Sequence, residues 1–107
     1  MAASFVFKPM QHVMYYLYVL YSLKDGNLYK GTSSDPAKRF IRHNSGGNKS
    51  TANRKPFVLI HLEEFNNKAQ ALQQERYYKS LEGGTALKQL LVARGILSPE
   101  NNLLKVK

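Results

Sequence analysis

Residues 15–31, YYLYVLYSLKDGNLYKG, decide the fold that we expect for this chain. Residues 15–23 are rich in Tyr, Val and Leu, a composition that favours a β-strand. Asp25-Gly26 follows and is typical of a type I′ hairpin turn, because both central residues of that turn need positive φ. Residues 27–31 are then expected to return as the second strand of a hairpin.

This hairpin predicts which side chains share a face of the sheet. A turn centred on Asp25-Gly26 pairs Ser22 with Tyr29. Because side chains alternate along a strand and opposed residues share a face, Tyr18 and Tyr29 are expected on the same side. A one-residue bulge would reverse this result. Aromatic residues in strands usually serve packing, so parity alone assigns neither tyrosine a function.

The next segments predict a helix, a loop and a third strand. Asp35 supplies a capping carboxylate and Pro36 suits the first helical position, so a helix is expected from there to about Asn44. Residues 45–56 form a polar, basic loop. Residues 57–65, FVLIHLEEF, predict the third strand.

Two helices are expected to complete the domain. Asn66 or Asn67 caps the first, which runs to about Leu81 and ends at Gly83-Gly84. A last helix runs from a Thr85 cap to before Gly95.

The order β-β-α-β-α-α predicts an α/β (α+β) fold with a small three-stranded mixed or antiparallel sheet flanked by helices. The domain is expected to span residues 15–95, with residues 1–14 as a leader of uncertain order and residues 96–107 as a C-terminal tail.

Composition narrows the partners of the chain. Its 107 residues suit one domain, and 16 Lys and Arg against seven Asp and Glu give a net charge of +9. This excess favours a polyanion such as nucleic acid, although a basic surface also aids solubility or attracts anionic lipid. The chain has no cysteine, which excludes a disulfide, a cysteine zinc site and a thiol nucleophile. We expect no signal peptide, no membrane partner and a cytoplasmic location.

Basic residues in the first helix and the following loop are candidates for phosphate binding. Arg39 and His43 are spaced i, i+4 on one helix face, where Arg holds phosphate and His transfers a proton near neutral pH. The alternative is a solvated basic face. The loop of residues 45–56 likewise has two interpretations: it binds phosphates, or it is a solvated connector. The nucleic-acid-binding candidates are Lys38, Arg42, Lys49, Arg54 and Lys55.

Glu75 is the unusual residue of the second predicted helix. It lies among the apolar positions Ala71, Leu72, Tyr78 and Leu81. A carboxylate on an apolar face is costly unless it is paired or bound to a metal ion. The alternative is a Glu at the edge of the stripe that reaches solvent or pairs with an Arg.

Residues 16–44 resemble the opening of a GIY-YIG nuclease domain. Leu17-Tyr18 stands for the end of the first motif and Tyr29-Lys30-Gly31 for the second, with Lys30 in place of an apolar residue. Arg39 and His43 follow at the family spacing, and residues 69–75 resemble the helix that carries the metal-binding Glu. The likeness covers roughly residues 15–91 and is greatest to small stand-alone bacterial members. No counterpart of the family's late active-site Asn follows Glu75.

The resemblance implies a metal-dependent endonuclease that is structure-directed or weakly sequence-specific. One Mg²⁺ or Mn²⁺ ion would be held by Glu75, and Arg39 would neutralise charge on the phosphate. Tyr18 is the first choice for the group that activates water and His43 the alternative base, while Tyr29 would position the water or a phosphate oxygen. Nucleic acid is the implied partner, with DNA favoured over RNA and a monomer favoured.

Two other functions compete with cleavage. The first is a nucleic-acid-binding module that keeps the fold without cutting. The second is a protein-interaction module that docks through Leu103-Leu104.

Overall fold

Three strands and three α-helices make up the part of the chain that the structure describes. The structure is a computed structural model that describes residues 13–104; residues 1–12 of the expected leader and 105–107 of the expected tail lie outside the described residues. The elements are β1 (Tyr15–Ser22), β2 (Leu28–Ser33), α1 (Pro36–Asn44), a short 3-10 helix (Ala52–Arg54), β3 (Phe57–Phe65), α2 (Lys68–Lys79) and α3 (Leu81–Ala93). This is the predicted order, and the α+β fold is confirmed.

The sheet is antiparallel throughout, with strand order β2-β1-β3. The predicted register of the hairpin is wrong by two residues, because Leu20 rather than Ser22 pairs with Tyr29. The turn is longer than two residues: the Ser22 N–H donates to the Asn27 carbonyl at 3.0 Å. A shift of two preserves parity, so Tyr18 and Tyr29 still share a face.

A bulge between β1 and β3 leaves the alternation of β1 intact. The β3 partners jump from His61 opposite Val19 to Leu59 opposite Leu20, which puts the extra residue in β3. Successive β1 side chains therefore enter two separate cores. One core contains Leu17, Val19, Tyr21, Tyr78, Leu87, Leu91 and Leu97. The other contains Tyr18, Leu20 and Phe57, with Tyr29, Phe40 and Leu59 packed against it.

Side-chain caps begin α1 and α2 where the sequence predicts. Asp35 Oδ1 accepts a hydrogen bond from the Lys38 N–H at 3.1 Å, and Asn67 Oδ1 accepts one from the Gln70 N–H at 2.9 Å. Within residues 13–104, the helices are too short or too polar to cross a membrane.

The predicted helix end at Gly83-Gly84 is wrong. The break lies at Ser80, whose hydroxyl caps α3 by accepting the Gly83 N–H at 3.0 Å. A Cβ at Gly83 would lie 1.8 Å from the Tyr77 carbonyl oxygen, so this glycine permits close contact between α2 and α3 rather than ending a helix. Leu81 begins α3 and is 91% exposed, so it does not belong to the apolar stripe of Glu75.

Part of the expected tail packs onto the domain. Leu97 is buried in the core that also contains α2 and α3 residues. Leu103 forms a β-bridge with Leu97, and the Leu104 N–H donates to the Ile96 carbonyl at 3.0 Å. Leu103 therefore makes contacts within the domain, whereas Leu104 is 39% exposed.

Candidate active site

Three aromatic rings meet where α1 covers the sheet. The Tyr29 and His43 ring centroids are 4.8 Å apart, and those of Tyr18 and Tyr29 are 6.3 Å apart. Gly31 lies opposite Tyr18 in the sheet, and a Cβ there would lie 2.5 Å from the Tyr18 hydroxyl oxygen. In the sequence Tyr29-Lys30-Gly31, Tyr29 therefore lies beside the site and Gly31 leaves space for the ring of Tyr18.

A hydrogen-bonded chain fixes the His43 ring. Nε2 lies 3.0 Å from the Tyr18 hydroxyl and Nδ1 lies 2.8 Å from Thr51 Oγ1. The Thr51 hydroxyl donates to the Asn48 carbonyl at 3.3 Å, so its oxygen is left to accept the Nδ1 proton. The network thus assigns the Nδ1–H tautomer, with the Tyr18 hydroxyl donating to Nε2.

Burial controls the protonation of this pair. Tyr18 and His43 are both 0% exposed. Burial and the neighbouring Tyr29 raise the pKa of Tyr18 to about 12, although Arg39 acts in the lowering direction. Burial, followed by the charges of Arg39 and Arg42, lowers the pKa of His43 below its ordinary value of 6.5. At neutral pH the phenol is therefore protonated and the imidazole is neutral.

Tyr18 and His43, the two residues predicted to activate water, are both buried in this structure. Both side chains lack exposed surface, because α1 and the loop that carries Thr51 cover them. Tyr29 is only partly buried and Arg39 is exposed. These two residues are therefore the ones that reach solvent above the buried pair.

Arg39 and its neighbours form a basic groove. Burial raises the pKa of Tyr18, and the positive charge of Arg39 acts against that rise. Lys38, Arg39 and Arg42 line a shallow concavity with Ser33, Ser34 and Asp35. The groove therefore runs from the β2–α1 connection along α1, with three cations on its wall.

Glu75 approaches the same site from α2. Its carboxylate is among the charges that raise the pKa of Tyr18, and its side chain is 18% exposed. Glu75 Oε2 accepts a hydrogen bond from Lys79 Nζ at 2.7 Å. The structure thus brings Tyr18, Tyr29, Arg39, His43 and Glu75 to one region, and the partner of Glu75 is a Lys rather than an Arg.

Glu63 fixes the rotation of α2. Its carboxylate accepts hydrogen bonds from Gln74 Nε2 at 2.7 Å and from the Tyr78 hydroxyl, and it lies 2.8 Å from His61 Nε2. Burial acts to raise the pKa of Glu63, but the bonds from His61, Tyr78 and Gln74 lower it overall. Because Gln74 and Tyr78 flank Glu75 in the sequence, these bonds determine the direction in which Glu75 projects.

The acidic groups suit one open cation site rather than a closed metal cage. Residues 13–104 contain no cluster of three or more His, Cys, Asp or Glu side chains that could hold a metal ion. Mg²⁺ is commonly bound by one or two carboxylates, with water and substrate phosphate as its other ligands. Within the described chain Glu75 Oε1 makes no hydrogen bond, so Glu75 fits the role of the single carboxylate.

Arg54 has a structural use that its sequence position did not reveal. Its Nε donates to Asp25 Oδ2 at 2.7 Å and its backbone carbonyl accepts from the Ser22 hydroxyl at 2.6 Å. The guanidinium therefore ties the loop to the hairpin turn, and its side chain is 27% exposed. Lys49 and Lys55 of the same loop are exposed.

Two residues of the site, Thr51 and Lys79, are not among those predicted from the sequence. Thr51 lies in the polar, basic loop, and nothing in the sequence links it to His43. Lys79 was readable, because it lies four residues after Glu75 in the same predicted helix, the spacing of a helical ion pair.

Comparison with known proteins gives consistent matches. A sequence model of the GIY-YIG catalytic domain matches residues 14–87. A UPF0213 protein of Staphylococcus saprophyticus is 39% identical over 82 residues, covering 76% of this chain and 96% of the relative. A UPF0213 protein of Natronomonas pharaonis is 41% identical over 80 residues, covering 74% and 91%. The solution NMR structure of a UPF0213 protein from Bacillus halodurans is 34% identical, with a TM-score of 0.46 and coverage of 83% and 92%.

Proposed function

The chain belongs to the GIY-YIG family, and from this premise we propose that it is a metal-dependent endonuclease that hydrolyses phosphodiester bonds of nucleic acid. The observation that carries the proposal is the convergence of a partly exposed phenol, a guanidinium and a carboxylate, Tyr29, Arg39 and Glu75, around the buried Tyr18–His43 pair. These are the groups that hydrolysis of a phosphodiester at a bound cation requires.

Glu75 would hold one Mg²⁺ or Mn²⁺ ion, with water and phosphate oxygens as the remaining ligands. A divalent ion there supplies Lewis-acid stabilisation of the phosphoryl group and of the leaving oxygen. Glu63 supports this role through its bonds to Gln74 and Tyr78, which hold the α2 turn that carries Glu75.

Arg39 is the proposed contact to the scissile phosphate. It is exposed on α1 and lies near enough to the buried tyrosine to affect its pKa. A guanidinium in this position neutralises charge that develops on the phosphate oxygens. Lys38 and Arg42 extend the cationic wall of the groove and would position the strand on either side.

Tyr29 is the proposed contact to the attacking water. Its hydroxyl makes no hydrogen bond to the described part of the chain. Tyr18 and His43 act behind it as a proton-holding pair. Because Thr51 fills Nδ1 of His43 and Tyr18 fills Nε2, the imidazole can take a proton only by way of the Tyr18 hydroxyl. The geometry therefore favours Tyr29, rather than Tyr18 or His43, as the residue that touches the reacting atoms.

The test is cleavage by the purified chain of duplex, branched and single-stranded DNA and RNA in Mg²⁺, Mn²⁺ or EDTA. We expect cleavage that depends on the divalent ion and is abolished by Glu75→Gln, which keeps the shape of the side chain. Glu64→Gln is the matched control, since Glu64 is exposed on β3 and bonds to Tyr16 at 3.3 Å. Full activity in Glu75→Gln would exclude the proposed mechanism.

A nucleic-acid-binding module without cleavage is the second candidate. The observation in its favour is the ion pair of Glu75 with Lys79, which gives the carboxylate a partner within the chain. Salt-dependent binding of the whole panel with no product in any metal would establish this function.

A further inference from the structure

Lys79 forms an ion pair with Glu75, the carboxylate that is proposed to bind a divalent cation. We propose that Lys79 exchanges between Glu75 and a phosphate of bound nucleic acid, so that nucleic-acid binding frees Glu75 to bind a divalent cation. This inference rests on the proposed function. It implies that the affinity for the divalent cation is low in the free protein and rises when nucleic acid binds.

The ion pair between Lys79 and Glu75 can break at little energetic cost. Lys79 Nζ lies 2.7 Å from Glu75 Oε2, and the two residues are one helical turn apart on α2. The Lys79 side chain is 52% exposed, whereas that of Glu75 is 18% exposed. An exposed lysine with a flexible stem leaves its partner at little cost, because such ion pairs contribute little in water. Glu75 itself stays in place, since α2 is bonded to Glu63 on both sides of it.

Lys30 supplies the electrostatic reason for the exchange. It lies in β2 opposite Val19 and is partly buried, so its position is set by the sheet. Burial, followed by the positive charge of Lys79, lowers the pKa of Lys30, which shows that the two ammonium groups lie near each other. Lys79 therefore has a second lysine as a neighbour as well as its carboxylate partner.

The local charge favours binding of cation and phosphate together. Lys79 contacts Glu75 and lies near Lys30, while Arg39 and Glu75 both act on Tyr18, so a divalent cation alone would add to the positive charge of this region. A phosphate offsets this charge and offers Lys79 a new acceptor. By thermodynamic linkage, nucleic acid must then raise the affinity for the cation by the same factor as the cation raises the affinity for nucleic acid.

The first measurement is Mn²⁺ binding to the whole purified chain without nucleic acid, followed by paramagnetic broadening of amide resonances. We expect Lys79→Gln to bind Mn²⁺ about twofold to fivefold more tightly than wild type, the scale of one exposed ion pair. Lys68→Gln is the control, because it removes an exposed lysine of the same helix that lies about 10 Å from Glu75 along the axis. Glu75→Gln should remove the broadening around α2.

The second measurement is binding of a fluorescein-labelled DNA duplex in EDTA, where no bond is cut. We expect Lys79→Gln to bind more weakly and to flatten the slope of log K against log salt by about 0.9, the contribution of one phosphate contact. Unchanged Mn²⁺ affinity in Lys79→Gln, or an unchanged salt slope, overturns the exchange while the Glu75 site stands. If Glu75→Gln binds Mn²⁺ as tightly as wild type does, the proposed function is overturned as well.

Discussion

The Tyr18 hydroxyl lies 3.0 Å from Nε2 of His43, and neither side chain has exposed surface. With Thr51 at Nδ1, both nitrogens of the imidazole have a partner inside the protein. His43 also lies one turn after Arg39 on α1, so the same helix presents a guanidinium to solvent and an imidazole to the interior. The buried pair therefore fixes the position of α1 relative to the sheet as well as the local protonation.

Removal of the Tyr18 hydroxyl should affect stability, whereas removal of the Tyr29 hydroxyl should affect catalysis. Tyr18→Phe leaves the buried Nε2 of His43 without a donor, so we expect the free energy of unfolding to fall by about 1–3 kcal/mol. The hydroxyl of Tyr29 has no hydrogen bond within residues 13–104, so Tyr29→Phe should leave stability nearly unchanged and lower kcat by about 100-fold or more. Urea unfolding and cleavage rates separate the two. A fully active Tyr29→Phe would remove Tyr29 from the reaction.

Thr51 should determine the tautomer of His43. Thr51→Val keeps the shape of the side chain but removes the acceptor 2.8 Å from Nδ1. We expect the ¹⁵N shifts of the His43 ring to move away from those of a pure Nδ1–H tautomer and the pH profile of cleavage to shift. Thr51→Ser keeps the hydroxyl and should retain the wild-type shifts. Identical ring shifts in Thr51→Val would show that Thr51 only fills space.

His43 should make stability depend on pH near neutrality. Burial, with Arg39 and Arg42, holds the pKa of His43 below 6.5 in the folded chain, and unfolding restores the ordinary value. As the pH falls through 6.5, the unfolded chain therefore binds a proton that the folded chain does not, and the free energy of unfolding decreases. Urea unfolding at several pH values should show a smaller decrease in His43→Gln than in wild type. Parallel curves would contradict the assignment.

The two adjacent glycines of α3 should respond in opposite directions to alanine. At Gly83 a Cβ would lie 1.8 Å from the Tyr77 carbonyl oxygen, so Gly83→Ala must separate α2 from α3 and should cost about 3 kcal/mol or more. At Gly84 the nearest atom would be the Tyr78 carbonyl oxygen at 3.4 Å, an ordinary contact. Gly84→Ala should therefore stabilise the chain by up to about 1 kcal/mol through helix propensity. Thermal unfolding of both variants gives the comparison.

These glycines also show where sequence reasoning stops. The bounds of α1 and β3 were predicted because Asp35, Pro36 and the apolar run at residues 57–65 act locally. The packing of α2 on α3 is a tertiary contact, and a Gly-Gly pair that permits it has the same sequence as a pair that ends a helix. Local signals cannot distinguish the two.

The candidate site divides in the same way. The shared face of Tyr18 and Tyr29 follows from strand parity, which survived the error of two residues in the register. The burial of Tyr18 depends on α1 and on Thr51, which reach it only in the folded chain. The sequence alone therefore cannot show whether Tyr18 contacts solvent, because that depends on how α1 and the loop pack over it.

The exposed cations of α1, and not Arg54, should bind nucleic acid. Lys38 and Arg42 are exposed on the groove wall, whereas Arg54 is held by Asp25 at 2.7 Å. Neutralised phosphates release counterions, so each lost contact flattens the slope of log K against log salt by about 0.9 on duplex DNA. Lys38→Gln with Arg42→Gln should therefore flatten the slope by about 1.8 and leave unfolding unchanged.

Arg54→Gln is the matched control for that experiment, because it also removes a guanidinium but leaves the groove of α1 intact. It should lower the melting temperature, since the loop loses its ion pair with Asp25 and its bond to the Leu28 carbonyl at 3.4 Å. Its salt slope should equal that of wild type. If Arg54→Gln flattened the slope as much as one groove substitution, the loop would be a phosphate contact after all, and the bound nucleic acid would extend beyond the groove of α1 to the hairpin turn.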